Sequence, residues 1–578
     1  MSDGHTPLTK RTFIYGAAIL AGTGIVVKIL GAVFRIPLGN LIGDEGMGYY
    51  NTVYPVYTLL IVIATTGIPI AVSRLVAEHY VDKDPAGANR VFKVALVLVA
   101  AIGVCFFSVL YFRAEEITSR VKDLSAAVYA MQAIAPAMVF VPIMAVFRGY
   151  FQGMQNMKPT ALSQLTEQAF RVVVGLSLAY FLIAQGKEFA AAGGTFGATA
   201  GAVAGLVTLL ILYSRMREGK TYRVRREEAR LARGDEGQVP TGVIIKKIAI
   251  IAVPITVGAA IMPIMYNIDL WLVPERLSFA GFDPVEVRSM YGQLTGFAEP
   301  LTNLPKVLTQ AIAISMVPTI VRAWKEKDKD FLRYNVSLGL RFALIIGLPC
   351  TVGLMILAEP VMHLLYPMQP EAAAGAAQAL FIFAIGIVFL SSIDAMTSAL
   401  QGVGKQMVAF VNIAIGAGCK LVITYALTGL PAVNIKGAAI GTVAAYAIAT
   451  ALNYRAVRIY TGTRFDPGLT FARPLISALA MGGAAAAVYY SIYGAIGNSA
   501  DSLAELASAQ LHRELTAATA SNAVATVAAI LVAIIVYIAM LFATRSIKPD
   551  ELKLLPKGER IYRMYRKATR RRHRRDKG

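Results

Sequence analysis

Charge is what this chain has least of. Asp, Glu, Lys and Arg supply only 16% of its 578 residues, against about a quarter in soluble globular proteins, which excludes an ordinary water-exposed surface. Cysteine is scarce too. Cys105, Cys350 and Cys419 lie inside apolar runs, as packing thiols do, and no pair has metal-ligand spacing. The five histidines are scattered, so no metal centre is legible. G-x-x-x-x-G-K-[ST], H-E-x-x-H and G-x-S-x-G are all missing. Their absence argues against an ATP-driven pump on this chain alone and against the common hydrolase designs.

What is present is apolar length. Hydrophobic residues make up 56%, and runs of about 20 residues, enough to cross roughly 30 Å of hydrocarbon, recur from Phe13 to Phe542. The runs are too long and too little alternating for strands. They predict an all-α polytopic membrane protein of about fourteen spans: 12–34, 47–73, 91–112, 126–147, 160–184, 192–213, 244–273, 290–321, 333–357, 376–402, 406–428, 435–454, 471–494 and 519–543. The first run is too long for a signal-peptide core and has no small-residue cleavage motif, so it is expected to stay as the first span.

The net charge of +21 would suggest nucleic acid in a soluble protein. Here Lys and Arg gather in alternate loops and in the tail, with no base-reading module beside them, so nucleic acid is not expected as a partner. Lys10 and Arg11, then Arg74, Lys83, Arg90 and Lys93, then the stretch from Arg215 to Lys247 fall on one side. Lys325, Lys327, Lys329, Arg455, Arg458, Arg464 and the tail from Arg545 follow them, whereas the opposite loop 359–375 has no Lys or Arg. The basic side is cytoplasmic by the positive-inside rule, which puts both termini there, and its loops and tail suit anionic lipid.

The expected organisation is an N-lobe at 1–213 with spans 1–6, a basic cytoplasmic loop at 214–243 and a C-lobe at 244–458 with spans 7–12. Two extra spans occupy 459–544 and a basic cytoplasmic tail 545–578. The lobes repeat one another in sequence. Gln152-Gly153 and Gln401-Gly402 each end a fourth span, and the same spacing leads on to Arg171 and to Lys420. Gly193 and Gly197 are answered by Gly437 and Gly441, and Ala71-Val72-Ser73 by Ala313-Ile314-Ser315. Duplication of this kind suits alternating access, with substrate held near the midplane.

Charges inside spans cost at least ~2.5 kcal/mol each at the bilayer centre and face protein or water. Lys28 and Arg35 lie two turns apart on one face of the first span, with no local acid. Glu167 and Arg171 stand at i, i+4 and can satisfy each other. Asp269, on the seventh span, suits either a coupling ion or a basic partner. Glu299, Asn303, Lys306 and Gln310 form a polar stripe on the eighth, and Arg341, Asp394 and Lys420 complete the set. Together they predict a hydrated cavity lined with cations, able to hold an anionic head group. Asp82-Lys83-Asp84 and Asp328-Lys329-Asp330 have the D-x-D shape of metal-dependent sugar transferases, but such triplets arise readily in charged loops. The longest outer loop offers only Asp501, Glu505 and Glu514 to a membrane enzyme.

The stretch Arg148-Gly-Tyr-Phe-Gln-Gly-Met-Gln-Asn-Met-Lys-Pro-Thr-Ala-Leu-Ser-Gln-Leu-Thr-Glu-Gln-Ala-Phe-Arg171 resembles the multidrug/oligosaccharidyl-lipid/polysaccharide exporter superfamily. The likeness is to its branch of stage V sporulation protein B and Gram-positive lipid II flippases. Asn267-Ile-Asp269, Tyr291-Gly-Gln-Leu-Thr-Gly296, Asn303-Leu-Pro305 and Leu555-Pro-Lys-Gly558 support it. The resemblance implies a monomeric flippase of the bacterial cytoplasmic membrane. It would move an undecaprenyl-pyrophosphate-linked sugar, with lipid II foremost, and need no cofactor. Another lipid-linked glycan, or cation-coupled drug export, is the alternative. Basic residues of the first, second and eighth spans are implied around the head group: Lys28, Arg35, Lys306 and Arg74, with Glu299 and Asn303 beside them. Glu167, Arg171 and Lys420 then serve as structural or cavity charge. Asp269 and Asn412 are the implied positions for a coupling Na+ or H+, although the eleventh span has no second acid.

Overall fold

A computed structural model describes residues 7–82, 84–218, 240–497 and 517–547, and their regular structure is entirely helical. Thirteen helices among them are long and apolar enough to cross a membrane. The first, Gly22–Val81, takes in the expected span 47–73 and the later part of 12–34, which reconciles thirteen with fourteen. Its main element, α1 (Pro7–Thr65), continues through the expected loop and breaks its helical path only at Gly43, with φ 70° and ψ −175°. That left-handed φ suits glycine alone among common residues. Many large apolar side chains on the spans are exposed, among them Val97, Val173, Phe181 and Ile535. Such a surface is a liability in water and a match for hydrocarbon.

The remaining elements that matter below are α2 (Gly67–Val81), α3 (Pro85–Phe112), α4 (Ala114–Ser119), α5 (Val128–Ile134), α6 (Ala137–Gly153), α7 (Lys158–Leu182) and α8 (Lys187–Glu218). They are followed by α9 (Thr241–Phe279), α10 (Pro284–Gly292), α11 (Glu299–Lys325), α12 (Lys329–Ile356), α13 (Ala358–Leu365) and α14 (Pro370–Gly402). The chain continues through α15 (Gln406–Thr428), α16 (Ile435–Thr461), α17 (Arg473–Gly497) and α18 (Ala517–Ala543). Local sequence explains several starts. Asp283-Pro-Val-Glu286 closes a full capping box on α10, which satisfies N–H groups that have no partner inside the helix. One aspartate of each D-x-D triplet caps the next helix: Asp84 accepts from Gly87 N at 2.8 Å and Asp328 from Phe331 N at 2.9 Å.

Prolines inside helices leave carbonyls without donors, and side chains fill the gap. Pro349 cannot donate to Ile345 O, and the Tyr537 hydroxyl donates to it instead at 2.6 Å. Pro55 likewise leaves Asn51 O to the Tyr291 hydroxyl at 3.4 Å. The span expected at 290–321 is interrupted, since a π-helical turn, Gln293–Ala298, separates α10 from α11. Such turns widen the backbone and cluster at functional sites.

The chain divides into two compact units: Met1–Val307 with Leu365–Phe383 and Phe410–Ala449, and Leu308–Leu364 with Ala384–Ala409 and Thr450–Gly578. In the second unit α17 and α18 pack together, α12 packs on α17, and Leu340, Leu344, Ala478 and Ala529 join one core. In the first, the repeated glycines have matching structural roles. A Cβ at Gly193 would lie 2.8 Å from Ala179 N, and one at Gly437 2.6 Å from Thr428 N. Further along, a Cβ at Gly197 would lie 2.6 Å from Arg171 O, and one at Gly441 would run into Thr424 Oγ1 and lie 3.4 Å from Lys420 O. Arg171 and Lys420 thus each sit on a helix seated against a Gly-x-x-x-Gly ridge of the next. Gly197→Val is expected to lower stability by about 1–3 kcal/mol through overpacking. Thermal unfolding checks this against Gly418→Ala, where the added Cβ meets nothing within 4 Å.

Candidate functional site

The first unit contains a polar cavity of about 210 Å³. α1 contributes Arg35, Asn51, Tyr54, Pro55 and Thr58; α9 contributes Tyr266 and Asp269. Tyr291 and Thr295 come from α10 and the π turn, and Glu299, Pro300 and Asn303 from α11.

Arg35 is the best-anchored cation in this lining. Its Nη2 donates to Asn51 Oδ1 at 2.5 Å and to Thr295 O at 2.9 Å, while its Nε is buried without a hydrogen-bond partner. Asn51 is itself held by a bond to Met47 O at 2.9 Å. Tyr50 places a ring 5.9 Å from the guanidinium and stacks on Tyr54 with centroids 4.6 Å apart. One nitrogen of the guanidinium is therefore fixed by the protein, and Nη1 is the one through which it could donate to an anionic oxygen.

Asp269 is buried, and its Oδ2 accepts from Lys420 Nζ at 2.5 Å. Lys420, on α15, also donates to Met265 O at 3.2 Å and is only 1% exposed. The basic-partner alternative for Asp269 is thus the one the geometry displays. Nearby, Asn267 donates to Pro263 O and to Pro55 O, both at 2.9 Å, tying α9 to α1.

Of the residues singled out in the sequence, the structure brings Arg35, Glu299, Asn303 and Asp269 into this lining, with Lys420 directly behind Asp269. Lys28 is exposed on α1, and Lys306 is half-buried two turns beyond Glu299. Arg74 is exposed on α2 and pairs with Glu78 at 3.1 Å. Asn412 is buried on α15, eight residues before Lys420. In the second unit Arg341 is buried, and Asp394 accepts from Thr309 at 3.1 Å.

Two expectations are corrected. Glu167 is not paired within its helix: Arg148 on α6 reaches it at 2.7 Å and donates through Nε to Ser163 Oγ at 3.0 Å. Arg148 divides its donors between Glu167 and Ser163 of the same helix, so the carboxylate is met across helices and not along its own. Arg171 instead lies half-buried with its Nε unpartnered. Nor is the lining simply cationic, because Asp269 and Glu299 accompany Arg35. A cation removed from water requires countercharge nearby. Asn51, Tyr54, Tyr266 and Tyr291 were missed. Polar and phenolic groups within apolar spans were their only signal, and Thr295 acts through its backbone, which no side-chain pattern reveals.

The fold and cavity define a polytopic helical membrane protein with a polar chamber inside one helical unit. The chain belongs to the polysaccharide biosynthesis protein family, whose profile matches residues 13–324, and so to the multidrug/oligosaccharidyl-lipid/polysaccharide exporter superfamily. A second profile, MatE, matches residues 295–426. The uncharacterized membrane protein YabM of Bacillus subtilis (strain 168) is 31% identical, over 78% of this chain and 81% of its own length. Lipid II flippase MurJ of the same organism is 28% identical, over 78% and 81% respectively. A solved structure of lipid II flippase MurJ in an inward closed conformation superposes with a TM-score of 0.64 at 14% identity, covering 91% of this chain and 99% of that one. At that identity the likeness is one of fold.

Proposed function

We propose that this protein is a flippase that carries a lipid-linked sugar precursor across the membrane by alternating access. Its substrate is an undecaprenyl-pyrophosphate-linked sugar, lipid II foremost, moved from the cytoplasmic to the outer leaflet. The observation that carries this reading is Arg35: a guanidinium whose Nη2 is fixed by Asn51 and Thr295, in the lining of a polar chamber among membrane spans. The diphosphate and its sugar are the parts of such a substrate that cannot cross hydrocarbon unaided, and the diphosphate is the part a guanidinium receives. Glu299 and Asn303 orient the group that Arg35 receives. Lys28 and Lys306 extend the positive path along α1 and α11, and Arg74 marks the cytoplasmic approach. The chamber is too small for a whole sugar head group, so the loaded state requires it to widen. The likeness to a protein named as a lipid II flippase supports the substrate class. The protein acts as a transporter rather than an enzyme, as a monomer in the bacterial cytoplasmic membrane. Its termini are cytoplasmic, and its basic loops rest on anionic lipid.

A second reading, export of organic cations, draws on Asp269, Glu299 and the Tyr54, Tyr266 and Tyr291 rings in the same lining. Complementation separates the two. The intact chain is expected to restore growth to a bacterium depleted of its lipid II flippase, and Arg35→Ala, Lys28→Ala and Lys306→Ala at matched expression are expected to fail. Well-inserted intact protein that does not rescue growth but raises tolerance to cationic dyes would establish the second reading instead.

A further inference from the structure

A carboxylate buried among apolar spans needs a positive partner. In this chain the partner is covalently attached. Lys420 Nζ meets both Asp269 Oδ2, at 2.5 Å, and Met265 O, at 3.2 Å. Met265 and Asp269 are one turn apart on α9, so the ammonium sits in a seat of one carboxylate and one backbone oxygen. Oxygens of these two types are what a small hard cation takes as ligands. Asn412, the other position implied for a coupling ion, lies eight residues before Lys420 on α15, about 12 Å of helix rise. A free cation on the same carboxylate would also face the ammonium at short range in a medium that screens poorly. The residues present therefore do not fit a sodium ion.

We infer that Lys420 is the resident cation of Asp269: its tethered ammonium fills the position of a coupling ion, and the protein takes up no sodium there. The inference rests on the transport reading only for its consequence, a translocation cycle indifferent to sodium. Ion occupancy is measured without substrate, so failure of either reading is distinguishable from failure of the other.

The test is binding of radioactive sodium to the full-length protein in lipid nanodiscs, with choline chloride holding the ionic strength constant. Wild-type protein is expected to show no saturable sodium binding, and its unfolding midpoint in sodium should match that in choline within about 1 °C. Lys420→Ala should gain about one sodium per chain and a higher midpoint in sodium than in choline, since a ligand of the folded state alone stabilises it. Adding Asp269→Asn should abolish both gains. Lys420→Gln, which keeps more of the side-chain volume, serves if Lys420→Ala is recovered unfolded. Saturable binding to wild type that is lost in Asp269→Asn would overturn the inference. So would a folded Lys420 variant that still takes no sodium.

Discussion

Lys420→Met is expected to destabilise the protein by about 3–5 kcal/mol, the usual consequence of stranding one member of a buried ion pair. The physical cause is the charge left behind. Asp269 is buried, and its second oxygen, Oδ1, has no hydrogen-bond partner, so in a sodium-free medium removing the ammonium leaves an anion in low dielectric without a bound countercharge. Asp269→Asn strands the lysine in the same way. Combining the two substitutions should recover more than half of the loss, because a neutral pair of similar volume avoids most of the desolvation cost. Thermal unfolding of the two single variants and the double variant in nanodiscs completes a double-mutant cycle. Losses that simply add would show that Lys420 and Asp269 do not depend on each other.

Arg35→Lys is expected to be nearly as inactive in flipping as Arg35→Ala, with either reducing the rate by roughly 10- to 100-fold at matched expression. That range corresponds to losing one hydrogen bond to a charged group, about 1.5–3 kcal/mol. Charge alone is not what the site uses. The guanidinium places one nitrogen between Asn51 Oδ1 and Thr295 O, and its planar fork keeps another N–H aimed elsewhere. A lysine ammonium has no fixed fork with which to do both. Asn51→Ala should produce an intermediate loss by loosening the same anchor. Reconstituted vesicles in which fluorescent lipid-linked sugar changes leaflet provide the rate. Full activity in Arg35→Lys would reduce Arg35 to a point charge.

Much of the architecture was open to reading along one dimension. Arg171 and Lys420 were matched through the spacing from Gln152-Gly153 and Gln401-Gly402, and in the structure each lies on a helix packed against a glycine ridge. The ridges were visible because close helix packing demands small residues at i, i+4. The ion pairs were not visible. Glu167 has a candidate partner four residues away, yet its partner is Arg148, and Asp269 pairs with a lysine 151 residues distant. Spacing along a helix states which side chains share a face, but not which neighbouring helix that face meets. The π turn before Glu299 was equally hidden, because it is defined by backbone hydrogen bonds and not by residue type.

By itself the sequence determined that this is a many-span helical membrane protein with a duplicated pattern and a few charges buried in its spans. Those properties follow from the length of apolar runs, the sidedness of Lys and Arg, and the cost of placing charge in hydrocarbon, all of which are local. Only the tertiary structure decided how those charges are shared out. It makes Arg35 a pinned donor beside a small chamber, gives Glu167 to Arg148, and seats Lys420 on Asp269. Electrostatic pairing in a low dielectric depends on distances of a few ångströms between groups far apart in the chain, and folding alone sets those distances.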